Sequence, residues 1–147
     1  VGLAGAAKDE FNALALKLSE RSNKFSNNVL DSIKQYSLLV TNASEVDGLP
    51  SSAKELLSEQ AVTAGHKDST PEAGPWLITL DYPSYLPCMQ HMKDRSIREK
   101  LYRAFVTRAS EGEFDNTENI NEILKMKQRK AEILVGPLTI SSYHNYL

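Results

Sequence analysis

The stretch AKDEFNALALKLSERSNKFSNNVLDSIKQYSLL, Ala7 to Leu39, contains neither glycine nor proline. Within it Phe11, Leu14, Leu18, Phe25, Val29, Ile33 and Tyr36 recur mostly at three-, four- and seven-residue steps. That period places them on one side of a helix, and Lys8, Asp9, Glu10, Lys17, Glu20, Arg21 and Lys24 occupy much of the rest. The spacing predicts one long amphipathic helix over about Ala7 to Leu39, and with it a mainly helical protein. Ser22, Asn23, Ser26, Asn27 and Asn28 have modest helix propensity, so packing must hold that middle section.

Working outward, Ser37-Leu38-Leu39-Val40-Thr41 is short and β-prone, and Asn42 to Pro50 reads as a turn region. A second helix is expected from Ser51 or Ser52, beside Pro50, to Ala64, with Gly65 at the stop position. A polar loop from His66 to Pro75 leads to Trp76-Leu77-Ile78-Thr79-Leu80, the other strand candidate. Neither strand is stable alone, so the two are paired as a small antiparallel ribbon. Pro83 and Pro87 bracket a short helical turn towards Met92. Asp94 to Ala109 is amphipathic, with Ile97, Leu101 and Phe105 at four-residue steps, and Gly112 breaks it. The last helix is capped near Asn116 or Thr117 and carries Ile120, Ile123, Leu124, Ala131 and Leu134 on one side. Gly136-Pro137 stops it. The expected fold is therefore a bundle of about five helices with a minor two-stranded antiparallel ribbon.

The chain has 147 residues, enough for a sizeable core in one domain. Seventeen Lys and Arg stand against nineteen Asp and Glu, a formal charge of −2, which gives no reason to expect nucleic acid or an anionic membrane as partner. A single cysteine, Cys88, excludes an internal disulfide framework and a cysteine-based zinc site. The longest apolar runs are three or four residues, too short to span a bilayer. The sequence starts at Val1 with no basic and apolar leader pattern, so the chain is read as processed or as a piece of something longer.

Chemistry-bearing motifs are scarce. The three histidines are His66, followed by Lys67, His91, followed by Met92, and His144, followed by Asn145, so none forms His-Glu-x-x-His. Cys88 lies in apolar company, Leu86-Pro87-Cys88-Met89, the ordinary setting of an inert thiol; a Cys88–His91 pair lacks an orienting third group. No Gly-x-Gly-x-x-Gly, Walker-type loop or Gly-x-Ser-x-Gly elbow is present. Lys125, Lys127, Arg129 and Lys130 share their helix with Glu118, Glu122 and Glu132, which makes a solvated mixed-charge face. Asn42-Ala43-Ser44 matches a glycosylation sequon without a secretory context. The segment Asp81-Tyr82-Pro83-Ser84-Tyr85-Leu86-Pro87 suits either a ligand-binding loop or, preferably, a strap fastening strand to helices.

Several ordered segments carry a resemblance. Gly74-Pro75-Trp76-Leu77-Ile78-Thr79-Leu80-Asp81-Tyr82-Pro83-Ser84-Tyr85-Leu86-Pro87 with Met89-Gln90-His91 resembles the thimet oligopeptidase / oligopeptidase A family of zinc metallopeptidases. So do Asp94 through Phe105 continuing to Ser110, Asn23 through Asp31, Asp47-Gly48-Leu49-Pro50, Asp115-Asn116-Thr117 and Ile123-Leu124-Lys125. The resemblance covers about residues 8–134 and implies the part of a large, mainly helical, two-lobed peptidase that precedes its zinc helix. The family's zinc is held by the histidines of His-Glu-x-x-His and a downstream glutamate, and none of those positions occurs here. No catalytic, cofactor-binding or metal residue is carried over, and zinc is expected in the full-length family, not in this chain. Residues 1–134 are taken as the family-like helical region. From Val135 the pattern departs, and 135–147 is read as a divergent tail from an alternative exon, retained intron or frame change.

The resemblance implies a non-catalytic portion of a peptidase that acts on short peptides, in the cytoplasm or an organelle lumen rather than secreted. The alternative is a helical interaction module pairing with a full-length relative, another protein or a second copy through uncovered apolar helix faces. A third reading is a peptide- or small-ligand-binding domain using Trp76 to Met92.

Overall fold

A computed structural model describes residues 2–135 of the chain. They form five α-helices, α1 (Gly5–Gln35), α2 (Ser51–Thr63), α3 (Tyr82–His91), α4 (Arg95–Val106) and α5 (Thr117–Val135), and two strands, β1 (Ser37–Val40) and β2 (Trp76–Thr79). The protein is mainly α with a two-stranded antiparallel ribbon. Short 3₁₀ turns at Ala43–Val46 and Gly112–Phe114 were not foreseen. Residues 136–147, most of the segment expected to diverge, lie outside the described residues, whereas Val135 still belongs to α5.

The chain divides into two compact units, Val29–Phe114 and a second built from residues up to Asn28 together with those from Asp115 onward. In the first, β1 and β2 pair in the register Ser37↔Thr79, Leu38↔Ile78, Leu39↔Leu77 and Val40↔Trp76. α1 therefore stops at Gln35, short of the expected Leu39, because Ser37 onward is taken into the ribbon. Trp76 and Ile78 alternate inward on β2 and are fully buried. On α2 the inward positions Ala53, Leu57 and Ala61 follow one another at four-residue steps. Leu57 joins Val40, Val46, Leu80, Cys88, Met92, Ile97 and Leu101 in one apolar core with the two strand residues. Gly48 lets the turn before α2 approach α3: a Cβ there would stand 2.2 Å from the His91 carbonyl oxygen.

The helical turn at Pro83 and Pro87 does continue towards Met92, as a ten-residue helix ending at His91. Pro83 lies in the first turn, where no N–H partner is lost, and Pro87 inside α3 removes only one ladder bond. α4 begins where expected, with Asp94 Oδ1 accepting from the Ser96 and Ile97 N–H groups at 2.8 and 3.1 Å. It ends at Val106 instead of Ala109. Thr107 caps it, and Ala109 adopts φ 53° with its N–H donated to Ser32 Oγ at 3.0 Å.

In the other unit, α5 runs antiparallel to the first part of α1. Arg129 pairs with Glu10 at 2.7 Å and Lys130 sits 4.4 Å from the Phe11 ring centroid, while near the opposite end Asn119 and Asn116 meet Arg21 and Phe25. The amphipathic stripe of α1 buries no residue fully. Its weak middle is held by side-chain amides: Asn116 Nδ2 donates to the Phe25 carbonyl at 3.1 Å and Asn119 Nδ2 to that of Arg21 at 2.9 Å. Asn28 Nδ2 donates to Asn116 Oδ1 at 2.9 Å. This changes the expected face of α5 only in part, since Ile123 and Ala131 are half-buried as expected. Ile120, Leu124 and Leu134 are exposed, whereas Asn116, Asn119, Ile123, Met126 and Lys130, at alternating three- and four-residue steps, are buried or half-buried.

Candidate functional site

Among the described residues the titratable groups capable of chemistry do not converge. His66 stands exposed in the loop after α2 and His91 stands exposed at the end of α3. His144 lies outside the described residues. Cys88, three residues before His91, is fully buried, and burial pushes its thiol up to about 12. A thiol held protonated inside an apolar core is neither an activated nucleophile nor a ready metal ligand. The conceivable Cys88–His91 pair is thus divided between core and solvent.

The tyrosine- and proline-rich segment fastens elements together. Ser84 is buried and its Oγ accepts from the Thr79 N–H at 3.0 Å, tying the end of β2 to α3. Tyr85 stacks on Phe105 of α4 with ring centroids 4.4 Å apart, and the Arg108 guanidinium lies 4.0 Å from the Phe105 centroid. Burial raises the Tyr85 phenol above its ordinary value. Trp76 gives its indole N–H to the Pro71 carbonyl at 3.1 Å, and Ser69 Oγ donates to the Pro75 carbonyl at 2.6 Å. These bonds give the segment a structural task.

The basic run of α5 is compensated. Arg129 bonds Glu10 through two nitrogens at 2.7 and 3.0 Å and reaches Glu132 at 3.4 Å; Lys125 reaches Glu122 at 3.3 Å. The hydrogen bond from Arg129 holds the Glu10 carboxyl below its ordinary range, as expected of a mixed-charge solvated face. In the Val29–Phe114 unit a shallow cleft of about 430 Å³ is lined by Ser32, Gln35, Tyr36, Thr107, Arg108 and Ala109 among others. Its hydroxyls, amide and guanidinium and the Glu111 carboxylate offer hydrogen bonds and charge of both signs.

Asn119 is the polar residue that the sequence did not single out, and Asn116 was singled out only as a cap, although Asp115-Asn116-Thr117 is one of the segments carrying the resemblance. Asn116 holds the N-cap position of α5, as expected, its carbonyl accepting from the Ile120 N–H at 2.8 Å; Asp115 Oδ1 accepts from the Thr117 N–H at 2.9 Å, and the Asn116 side chain is left to face α1. Asn119 Oδ1 is buried with no partner among the described residues. The run of Asn116 and Asn119 in phase with Ile123 and Met126 was the available signal.

No protein-family model matches the chain. Among curated proteins, the organellar oligopeptidase A (chloroplastic/mitochondrial) of Arabidopsis thaliana is 47% identical over 146 residues, 99% of this chain and 18% of that protein. The probable cytosolic oligopeptidase A of the same plant is 47% identical over 99% of the chain and 20% of its own length. Oligopeptidase A of Escherichia coli is 37% identical over 139 residues, 91% of the chain and 19% of the relative. The chain thus spans about a fifth of the length of these relatives. Theirs is a zinc metallopeptidase family. The residues described here do not fit a zinc ion: no three His, Cys, Asp or Glu side chains among them come together, and the buried thiol is protonated. Along nearly all of its own length the chain is thus similar to a segment of oligopeptidase A proteins, which are of the thimet oligopeptidase family.

Proposed function

We propose that this chain is a non-catalytic helical portion of a zinc oligopeptidase, the whole of which cleaves short peptides, and that it turns over no peptide by itself. The observation carrying this reading is the 47% identity over 99% of the chain combined with a sequence that has no His-Glu-x-x-His. Water activation and stabilisation of the developing oxyanion depend on that metal centre. The cytoplasm or an organelle lumen is the proposed compartment, in keeping with relatives named as cytosolic and as chloroplastic/mitochondrial. The test is to incubate the purified chain with zinc and a quenched fluorescent peptide. No turnover is expected; chelator-sensitive cleavage overturns the reading.

One observation favours a second role, an interaction module that pairs with a full-length relative or with itself. Ile120, Leu124 and Leu134 form an uncovered apolar stripe on α5, with Leu124 59% exposed. Light scattering across a concentration series discriminates: a persistent monomer counts against self-association.

A further inference from the structure

We infer that the outward side of α4 is a docking surface for an acidic, apolar-anchored stretch of polypeptide supplied by the remainder of an oligopeptidase A chain. The inference rests on the reading of this chain as one part of such a peptidase.

Arg95, Glu99, Tyr102 and Val106 follow one another at steps of four, three and four, and so lie along one side of α4. Tyr102 is 54% and Val106 51% exposed. Beside them a shallow groove of about 520 Å³ is lined by Met89 of α3 with Arg95, Ser96, Arg98, Glu99 and Tyr102. Its surroundings are ordered by packing: Tyr85 stacks on Phe105, and Arg98 donates to the Met92 carbonyl. Tyrosine, arginine and methionine are the side chains that concentrate in the centres of protein interfaces.

Charge selects the occupant. From Lys93 to Arg108 there are six basic residues and two acidic ones, on a chain whose formal charge is −2. Both acids are engaged, Asp94 capping the helix and Glu99 accepting from Arg103 at 2.7 and 2.9 Å; Lys93 is paired with Asp47 at 2.9 Å, and Arg95 and Arg98 are the basic residues that line the groove. Arg95 has no ion-pair partner among the described residues. An acidic segment with an apolar side chain for the Tyr102–Val106 strip satisfies both features. The relatives are about five times longer than this chain, so four-fifths of such a protein is available to supply it.

Overlapping peptides covering that remaining four-fifths of Arabidopsis thaliana organellar oligopeptidase A are immobilised and probed with the purified chain. Wild type is compared with Tyr102→Ala, Arg95→Glu and Arg95→Lys, after circular dichroism shows their helix content unchanged. The expected result is capture by net-acidic peptides, weakened about tenfold by Tyr102→Ala and by Arg95→Glu, retained by Arg95→Lys, and reduced by salt. Capture indifferent to these substitutions, capture by neutral or basic peptides, or no capture overturns the surface. So does a dimer of the chain alone that Tyr102→Ala dissolves, which assigns the face to a second copy. The underlying family reading is tested separately by zinc-dependent peptide turnover of the wild-type chain, whichever way the peptides bind.

Discussion

Replacing Leu101 by alanine removes three carbons from a side chain with no exposed surface, packed in the core of the Val29–Phe114 unit. At about 0.8 kcal/mol per buried methylene, the transfer contribution alone is about 2.4 kcal/mol. The space left behind adds to it, since strands and helices on every side restrain collapse, and the expected total is about 3–4 kcal/mol. For a unit of this size each kcal/mol corresponds to about 4–8 °C, so the thermal midpoint should fall by at least about 12 °C. Trp76 supplies the readout: it is the chain's single tryptophan, fully buried in the same core and hydrogen-bonded to Pro71. Urea titrations followed by its fluorescence, wild type against Leu101→Ala, measure the loss. Tyr102→Ala, one position along but facing solvent, is the control and should shift the midpoint by no more than about 0.5 kcal/mol. A loss below about 1 kcal/mol for Leu101→Ala, or equal losses for the two variants, would refute the close-packed core and the assignment of α4's faces.

Gly48→Ala should destabilise the same unit, because φ there is +91° and the new Cβ would meet the His91 carbonyl oxygen; a Tm scan reads it, and an unchanged Tm contradicts the close approach. Asn116→Ala removes bonds to Phe25 and Asn28, so it should cost about 1–3 kcal/mol and speed amide hydrogen exchange in the middle of α1 and the first turns of α5. Cys88 should resist thiol reagents in the native protein at pH 8 and react only as fast as the core opens, given a thiol pushed up to about 12. Hydrogen bonds from the Ser96 hydroxyl and the Ile97 and Ser96 N–H groups hold the Asp94 carboxyl below its ordinary range. Its stabilisation is therefore present above the unfolded carboxylate pKa of about 3.9 and lost as pH falls through the lower folded value. Asp94→Ala should lower the urea midpoint at pH 6 and have little further effect at pH 2.

The helices and the ribbon were legible because each leaves a local mark. Alternation at Trp76 and Ile78, the four-residue steps of Ile97 and Leu101, and Asp94 before a polar–apolar run all carry their own evidence. What escaped depends on distant partners. Nothing local fixes the register that sets Ser37 opposite Thr79, or the end of α1 at Gln35. On α5, Ile123 and Ala131 were placed correctly but Ile120, Leu124 and Leu134 were not, because counting apolar residues rewards them, whereas the packed side is set by amides that bond the backbone of α1. The absence of a local zinc motif was plain from three histidines and their neighbours. Exposure of the α4 face needed coordinates, since the residue types that dock a partner also serve as ordinary helix surface.

The division into units also sets an order of events. Bonds joining α1 to α5 bridge 88 to 119 residues of sequence, and the whole Val29–Phe114 stretch lies within that interval. A chain emerging from the ribosome completes that inner stretch while the first half of α1 still has no mate. The amides of Asn116 and Asn119 arrive last, and until then the asparagine-rich middle of α1 has only its own weak propensity. Closing so long a loop adds little to the equilibrium cost, but it delays the event. Synthesis therefore leaves the first part of α1 unpaired longer than α2, α3 or α4, and a chaperone that recognises nascent amphipathic helices would meet this segment there.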